Sequence, residues 1–318
     1  MVNIFKSLFG RKSENPENEK EKNNRKNFEL FKFDGMRAQR MGRIDYAIKC
    51  YESALAIDRE FETLSYLAQV HLQLGHLEDG LQLLKEMAEL DPQMSETFLS
   101  LANVSFMLED YPNMKKYATH AIDIDTENPM PYFLLAKAEH GLKDEFNAIA
   151  HLTQAIQKKE NYAEAYLMRS EILAGMQQFA EAMKDVKTML EFEPEDENAL
   201  LLRGKLKEAT HDAEGARRDY TTVVSLNPFN EQAHLLLSNA FLTAQEPDKA
   251  IAQLDEAIEA NPQFAKAYLL RGQAKLMKGD KEGSIEDMKK SMELNPDAET
   301  DISGQFNNFK DLYANSPL

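Results

Sequence analysis

A chain of 318 residues with 43% hydrophobic side chains has ample apolar surface for a buried core, and thirteen glycines and eleven prolines are too few for a low-complexity chain. Its formal charge of −17 repels phosphate backbones, which argues against a nucleic-acid partner. With Cys50 as the single cysteine, no internal disulfide and no thiolate metal cluster can form, which is compatible with a reducing compartment. The abundance of Ala, Leu, Glu, Lys and Gln leans towards an all-α fold.

In chain order, Val2, Ile4, Phe5, Leu8 and Phe9 recur at near-helical spacing beside Lys6, Arg11 and Lys12, the pattern of a small basic amphipathic anchor. So short a helix gives marginal membrane affinity alone. No small-residue cleavage site follows, so the segment does not read as a secretory signal, and no stretch reaches the length that spans a bilayer. A cytoplasmic location is expected. Residues 10–27 hold too few apolar side chains to offset the entropy of ordering and are predicted to be a charged tether, so that 1–27 forms a first, non-globular part.

From Phe28 the chain is periodic. Within Ala265–Pro296, Tyr268, Arg271, Gly272 and Lys275 fall on one face of a first helix, and Ser284, Met288 and Ser291 on one face of a second. Gly279-Asp280 breaks the pattern between them, and Asn295-Pro296 ends it, since the residue before a proline is pushed out of helical geometry. Each unit is therefore a helix–turn–helix hairpin. Steps of 34 residues towards the N-terminus find the same positions as His234, Leu237 and Ser238, then Leu200, Arg203 and Gly204, then Tyr166, Arg169 and Ser170, with Pro262, Pro228 and Pro194 closing the units. Further steps find Tyr132, Leu135 and Ala136, then Phe98, Leu101 and Ala102, then Leu64, Leu67 and Ala68, and a looser first unit with Phe31, Gly35, Ala47, Tyr51 and Ala54. Past Ala298 the phase is lost, but Ile302, Phe306, Phe309 and Tyr313 continue one amphipathic helix, predicted to cap the last hairpin.

These repeats resemble the tetratricopeptide repeat (TPR) family over about residues 28–298, eight units in phase. The resemblance implies a right-handed superhelical solenoid, here followed by the capping helix and a loose tail at 299–318. It departs from the family pattern in the first unit, where Asp34 and Arg59 stand for Leu and Pro, as a solvent-facing terminal repeat tolerates.

Arg169, Arg203 and Arg271 occupy an interior position at which other units carry Leu, and each is followed sixteen residues later by Asp185, Asp219 or Asp287. The Leu-type units place Leu83, Tyr117, His151 or Gln253 there instead. Each Arg–Asp pair is predicted to bridge the two helices of its hairpin, because an unpaired buried guanidinium is costly.

Nothing in the chain carries catalytic chemistry: there is no phosphate loop, no nucleophile elbow, and no His-Glu-x-x-His spacing among the seven histidines. No enzyme, metal, cofactor or small-molecule substrate is expected. In the TPR family the first helices line a concave groove, and the resemblance assigns to it an apolar row of Leu99, Phe133, Leu167, Leu201, Leu235 and Leu269. Beside the row stand Gln69, Asn103, Lys137, Glu171, Lys205, Asn239 and Gln273, which can hydrogen-bond a bound backbone or pair with its charges, and Leu72, Phe106, Leu242 and Leu276 add apolar area at its two ends. The alternative is that the leucines only pack against neighbouring repeats. The carboxylate-binding constellation of co-chaperone TPR proteins is absent. The expected function is an adaptor or scaffold that binds a peptide or helix of a partner protein. Alternatives are an assembly factor tethered to membrane through its N-terminus, or a non-catalytic accessory subunit of an enzyme complex.

Overall fold

The structure, a computed structural model, describes residues 16–296 and contains sixteen α-helices among them. The described residues divide into two compact units, one up to residue 160 and one from residue 161. The first unit pairs α1 (Pro16–Arg40) with α2 (Ile44–Leu55), α3 (Phe61–Gln73) with α4 (Leu77–Leu90), α5 (Ser95–Met107) with α6 (Tyr111–Ile124), and α7 (Pro129–Gly141) with α8 (Glu145–Lys158). The second pairs α9 (Ala163–Gly175) with α10 (Phe179–Phe192), α11 (Glu197–Ala209) with α12 (Ala213–Leu226), α13 (Glu231–Thr243) with α14 (Pro247–Ala260), and α15 (Ala265–Met277) with α16 (Lys281–Leu294). Within each unit, the second helix of a hairpin packs on the first helix of the next, and successive first helices such as α5 and α7, or α13 and α15, also touch. The first helices therefore form one face of each stack.

Every hairpin turns in the same way. The first helix ends on a residue with positive φ: Gly42, Gly75 and Gly279 in three hairpins, and Glu109, Lys143, Gln177, His211 and Gln245 in the others. The next residue's amide then bonds back over five residues, as Asp110 does to the Ser105 carbonyl at 2.8 Å and Asp212 to Lys207 at 2.8 Å. This Schellman arrangement satisfies carbonyls that the helix end would leave open. The following helix is often capped by an aspartate, with Asp110, Asp144, Asp212 and Asp280 each accepting from the amide three residues on. Such a cap contributes about 1 kcal/mol.

Between the two helices of a hairpin, large and small side chains alternate. In the sixth hairpin Tyr220 is fully buried against Gly204, where a Cβ would fall 2.2 Å from the tyrosine ring. The first hairpin repeats the device with Tyr51 against Gly35. Both phenols keep a hydrogen-bond partner one turn further along the first helix: Tyr51 donates to Gln39 Oε1 at 2.7 Å and Tyr220 to Glu208 Oε2 at 3.0 Å. Burial, added to by the Glu208 carboxylate, pushes the Tyr220 phenol above its usual pKa, so it remains a neutral donor.

Residues 16–27 correct one expectation. They continue α1 as helix rather than forming a tether, and residues 18–27 are exposed on it. Glu and Lys are good helix formers, and once the repeat positions from Phe28 onward nucleate the helix, extending it towards the N-terminus needs no buried face. The expected anchor at residues 1–9, the first part of the tether and the capping helix from 299 onward lie outside the described residues.

Candidate functional site

The interior Arg and Asp positions pair as their sequence spacing predicts. Arg169, Arg203 and Arg271 each present Nε and an Nη to the two carboxylate oxygens of Asp185, Asp219 and Asp287, with every contact between 2.6 and 2.9 Å. Lys207 and Lys275 add a second cation to Asp219 and Asp287 at 2.7 and 2.8 Å. The fourth hairpin places its carboxylate on the other helix. His151 stands at the Asp position, and the carboxylate comes from the first helix as Glu139, which is 2% exposed and bonded to His151 Nδ1 at 2.6 Å and Lys115 Nζ at 3.1 Å. In the seventh hairpin Gln253 meets His234 Nδ1 at 2.6 Å, while His234 Nε2 donates to the Pro228 carbonyl at 2.9 Å. These polar groups find partners between packed helices, within one hairpin or, as with Lys115 and Glu139, between neighbouring ones.

The first helices carry the residues that the family resemblance places in a groove. In the first unit Leu99 is half-buried and packs against the cores of two neighbouring hairpins. Phe133 is half-buried as well, and the Lys137 ammonium lies 5.8 Å from its ring centre and 3.6 Å from that of Phe106. Burial lowers the Lys137 pKa from the usual lysine value, and the two ring faces compensate its partial desolvation. Asn103 is exposed. In the second unit Leu167, Leu235 and Leu269 are half-buried, Glu171, Lys205 and Asn239 exposed, and Gln273 half-buried. Leu201 departs from the row: it is 3% exposed and offers no surface to a ligand. Leu235 packs on the core of its own and the following hairpin.

One position in the first unit breaks the apolar row and opens a pocket. Stepping 34 residues back from Leu99 gives Ser65, whose small side chain leaves a pocket of about 550 Å³ between α3 and α5. Its floor is apolar, formed by Ala68, Leu84 and Met87, and Phe61, Leu72 and Met94 wall it. Polar groups line the same opening: Gln69 and Gln73 on α3, Glu96, Thr97 and Ser100 on α5. An apolar floor with a few polar groups at its mouth is the usual make-up of a ligand pocket, and the volume is within the usual range. Of the groove positions taken from the family resemblance, Gln69 and Leu72 line it, and none of the apolar row from Leu99 to Leu269 does. The signal that could have found it is Ser65 itself, a small polar residue in register with Leu99, Phe133 and Leu167.

The sequence pattern of the tetratricopeptide repeat matches residues 35–95, 201–263 and 235–299, about half of the chain. The chain belongs to the tetratricopeptide repeat family. Among solved structures, a tetratricopeptide repeat protein from Parabacteroides merdae covers 76% of this chain and 95% of its own, with 18% identity and a TM-score of 0.58. PilF from Pseudomonas aeruginosa covers 64% of this chain and 92% of its own, with 15% identity and a TM-score of 0.55. A chain of the APC/C hetero-tetramer Cut9–Hcn1 covers 80% of this chain and 50% of its own, with 13% identity and a TM-score of 0.54. At these identities the likeness is one of fold. No curated protein matches the sequence.

Within this TPR chain the histidines hold a second arrangement that their spacing does not announce. His71, His76 and Asp79, at the turn of the second hairpin, each bring one ligand atom within 4.8 Å of the other two. The histidines stand five positions apart, which is no ligand spacing on a continuous helix, and it is the turn that closes the distance. Among the described residues no helix is long and apolar enough to cross a membrane.

Proposed function

We propose that this TPR protein is a protein–protein interaction scaffold that holds a segment of a partner protein against the face of its first helices, with the Ser65 pocket receiving an apolar side chain of that segment. The observation that carries this reading is the pocket itself: an apolar floor of Ala68, Leu84 and Met87 under the carboxamides of Gln69 and Gln73. A carboxamide offers both a donor and an acceptor, as a peptide backbone does, so the rim suits a main chain while the floor selects a side chain. The exposed polar row of Asn103, Glu171, Lys205 and Asn239 supports the same role for this face elsewhere on the chain. The buried Leu201 has no part in it, and the half-buried leucines act as packing with a partly open edge.

Ser65→Leu is the discriminating variant, because the chain already places Leu99 at the same position of the next hairpin. Affinity capture from the native cell, compared quantitatively between the wild type and Ser65→Leu, should show a set of partners retained by the first and lost by the second. The variant should keep its helicity and melting temperature. Equal capture by a folded Ser65→Leu protein would remove the pocket from the binding surface.

A further inference from the structure

We propose that His71, His76 and Asp79 form a binding site for a divalent late transition metal of the Zn²⁺ class at the turn of the second hairpin. The geometry follows from the turn. His71 is the third-last residue of α3, Gly75 takes the positive φ of 77°, and the His76 amide bonds to the His71 carbonyl at 2.9 Å. In a Schellman turn the side chains of these two positions meet, ordinarily as an apolar contact. Here two imidazoles meet, with Nδ1 to Nδ1 at 3.3 Å and ring centres 5.6 Å apart. The equivalent pairs in neighbouring hairpins are Ser105 with Asp110 and Glu139 with Asp144. Asp79 in the first turn of α4 brings its Oδ2 to 3.7 Å from His71 Nδ1.

The separation of the ring nitrogens suits a tetrahedral ion. Two nitrogens at about 2.0–2.1 Å from Zn²⁺ in tetrahedral geometry stand about 3.3–3.4 Å apart. The exposed Asp79 carboxylate, 3.7 Å from His71 Nδ1, lies within reach of a third contact, which leaves a fourth position for water or an outside donor. Two imidazole donors favour Zn²⁺, Ni²⁺ or Cu²⁺ over Mg²⁺ and Ca²⁺, which prefer oxygen. Without an ion, two neutral rings at this distance share one proton: one Nδ1–H donates and the other Nδ1 accepts. Coordination moves that ring to the Nε2–H tautomer and leaves both Nδ1 lone pairs for the metal, with no net release of a proton from two neutral imidazoles.

Capping does not account for His76. It stands where Asp110 and Asp144 cap their helices, yet its side chain makes no cap hydrogen bond. A bound ion would instead tie the end of α3 to the start of α4, next to Leu72, which walls the Ser65 pocket.

The test uses the untagged full chain after chelator treatment and dialysis, titrated with Zn²⁺ by calorimetry and with Co²⁺ by visible absorption. One equivalent of either metal should bind, with Co²⁺ bands of tetrahedral intensity, and the melting temperature should rise with Zn²⁺. His76→Ala and Asp79→Asn lie at exposed positions, and loss of the histidine ligand should weaken Zn²⁺ binding by at least about tenfold. A hundredfold excess of Mg²⁺ should not compete. Absence of saturable Zn²⁺ binding by the wild type, or equal affinity in a folded His71→Ala/His76→Ala protein, would overturn the proposal.

Discussion

Arg203 grips Asp219 through two parallel hydrogen bonds, Nε to Oδ2 at 2.9 Å and Nη2 to Oδ1 at 2.7 Å, across the two helices of one hairpin. The same sixteen-residue relationship in the second hairpin joins Leu67 to Leu83, both buried. The chain thus contains both an ionic and an apolar solution to one packing position. Arg203→Leu leaves the buried carboxylate with Lys207 alone and should lower stability by about 3 kcal/mol in a urea melt. Arg203→Leu/Asp219→Leu reproduces the apolar solution and should recover most of that loss, since well-packed apolar replacements of buried pairs are often neutral or better. A double variant no more stable than the single one would mean that the pair is more than an exchangeable lock.

The pair in the last hairpin predicts a dependence on pH. Burial opposes the charge on Asp287, but the hydrogen bonds and charges of Arg271 and Lys275 outweigh it and hold the carboxyl below its ordinary range. A carboxylate with a depressed native pKa stabilises fully above its unfolded value of about 3.9 and loses that contribution as the pH falls through the native pKa. The difference in melting temperature between wild type and Asp287→Asn should therefore hold from neutral pH to about pH 5 and shrink below about pH 4. A difference that grows on acidification would contradict the assignment.

Gly204 separates packing from helix propensity. Alanine is the better helix former by about 1 kcal/mol, yet its Cβ would meet the buried Tyr220 ring. Gly204→Ala should lower stability by about 1–3 kcal/mol, as overpacked cores do. Adding Tyr220→Phe should not rescue it, because the clash is with the ring and not the hydroxyl. Thermal melts of the single and double variants decide the point.

The turns offer a gain in stability. Gln177 and Gln245 hold φ of 61° and 59°, a region where a Cβ is unfavourable. Gln177→Gly should stabilise the second unit by about 0.5–1 kcal/mol, the relief of left-handed strain exceeding the added entropy of the unfolded chain. Chemical denaturation of the two proteins under identical conditions measures it, and a lower midpoint for the glycine variant would count against the strain.

What the sequence alone determined is whatever repeats. Helix and turn positions recur every 34 residues, the Arg–Asp pair returns at the same register in three units, and periodic burial makes each of them visible as a pattern. Tertiary structure decided what happens once. Ser65 becomes a pocket only because α3 and α5 lie side by side, so a missing side chain on one leaves a space walled by both. Leu201 looks like its neighbours in the row but is closed off by packing that no periodicity encodes. His151 finds its carboxylate on the opposite helix, at Glu139, outside the spacing that the other pairs share. His71 and His76 are joined because the chain reverses at Gly75, bringing together residues that a straight helix would place on different faces. A recurring pattern specifies the scaffold, whereas each departure takes its meaning from the neighbours that the scaffold sets around it.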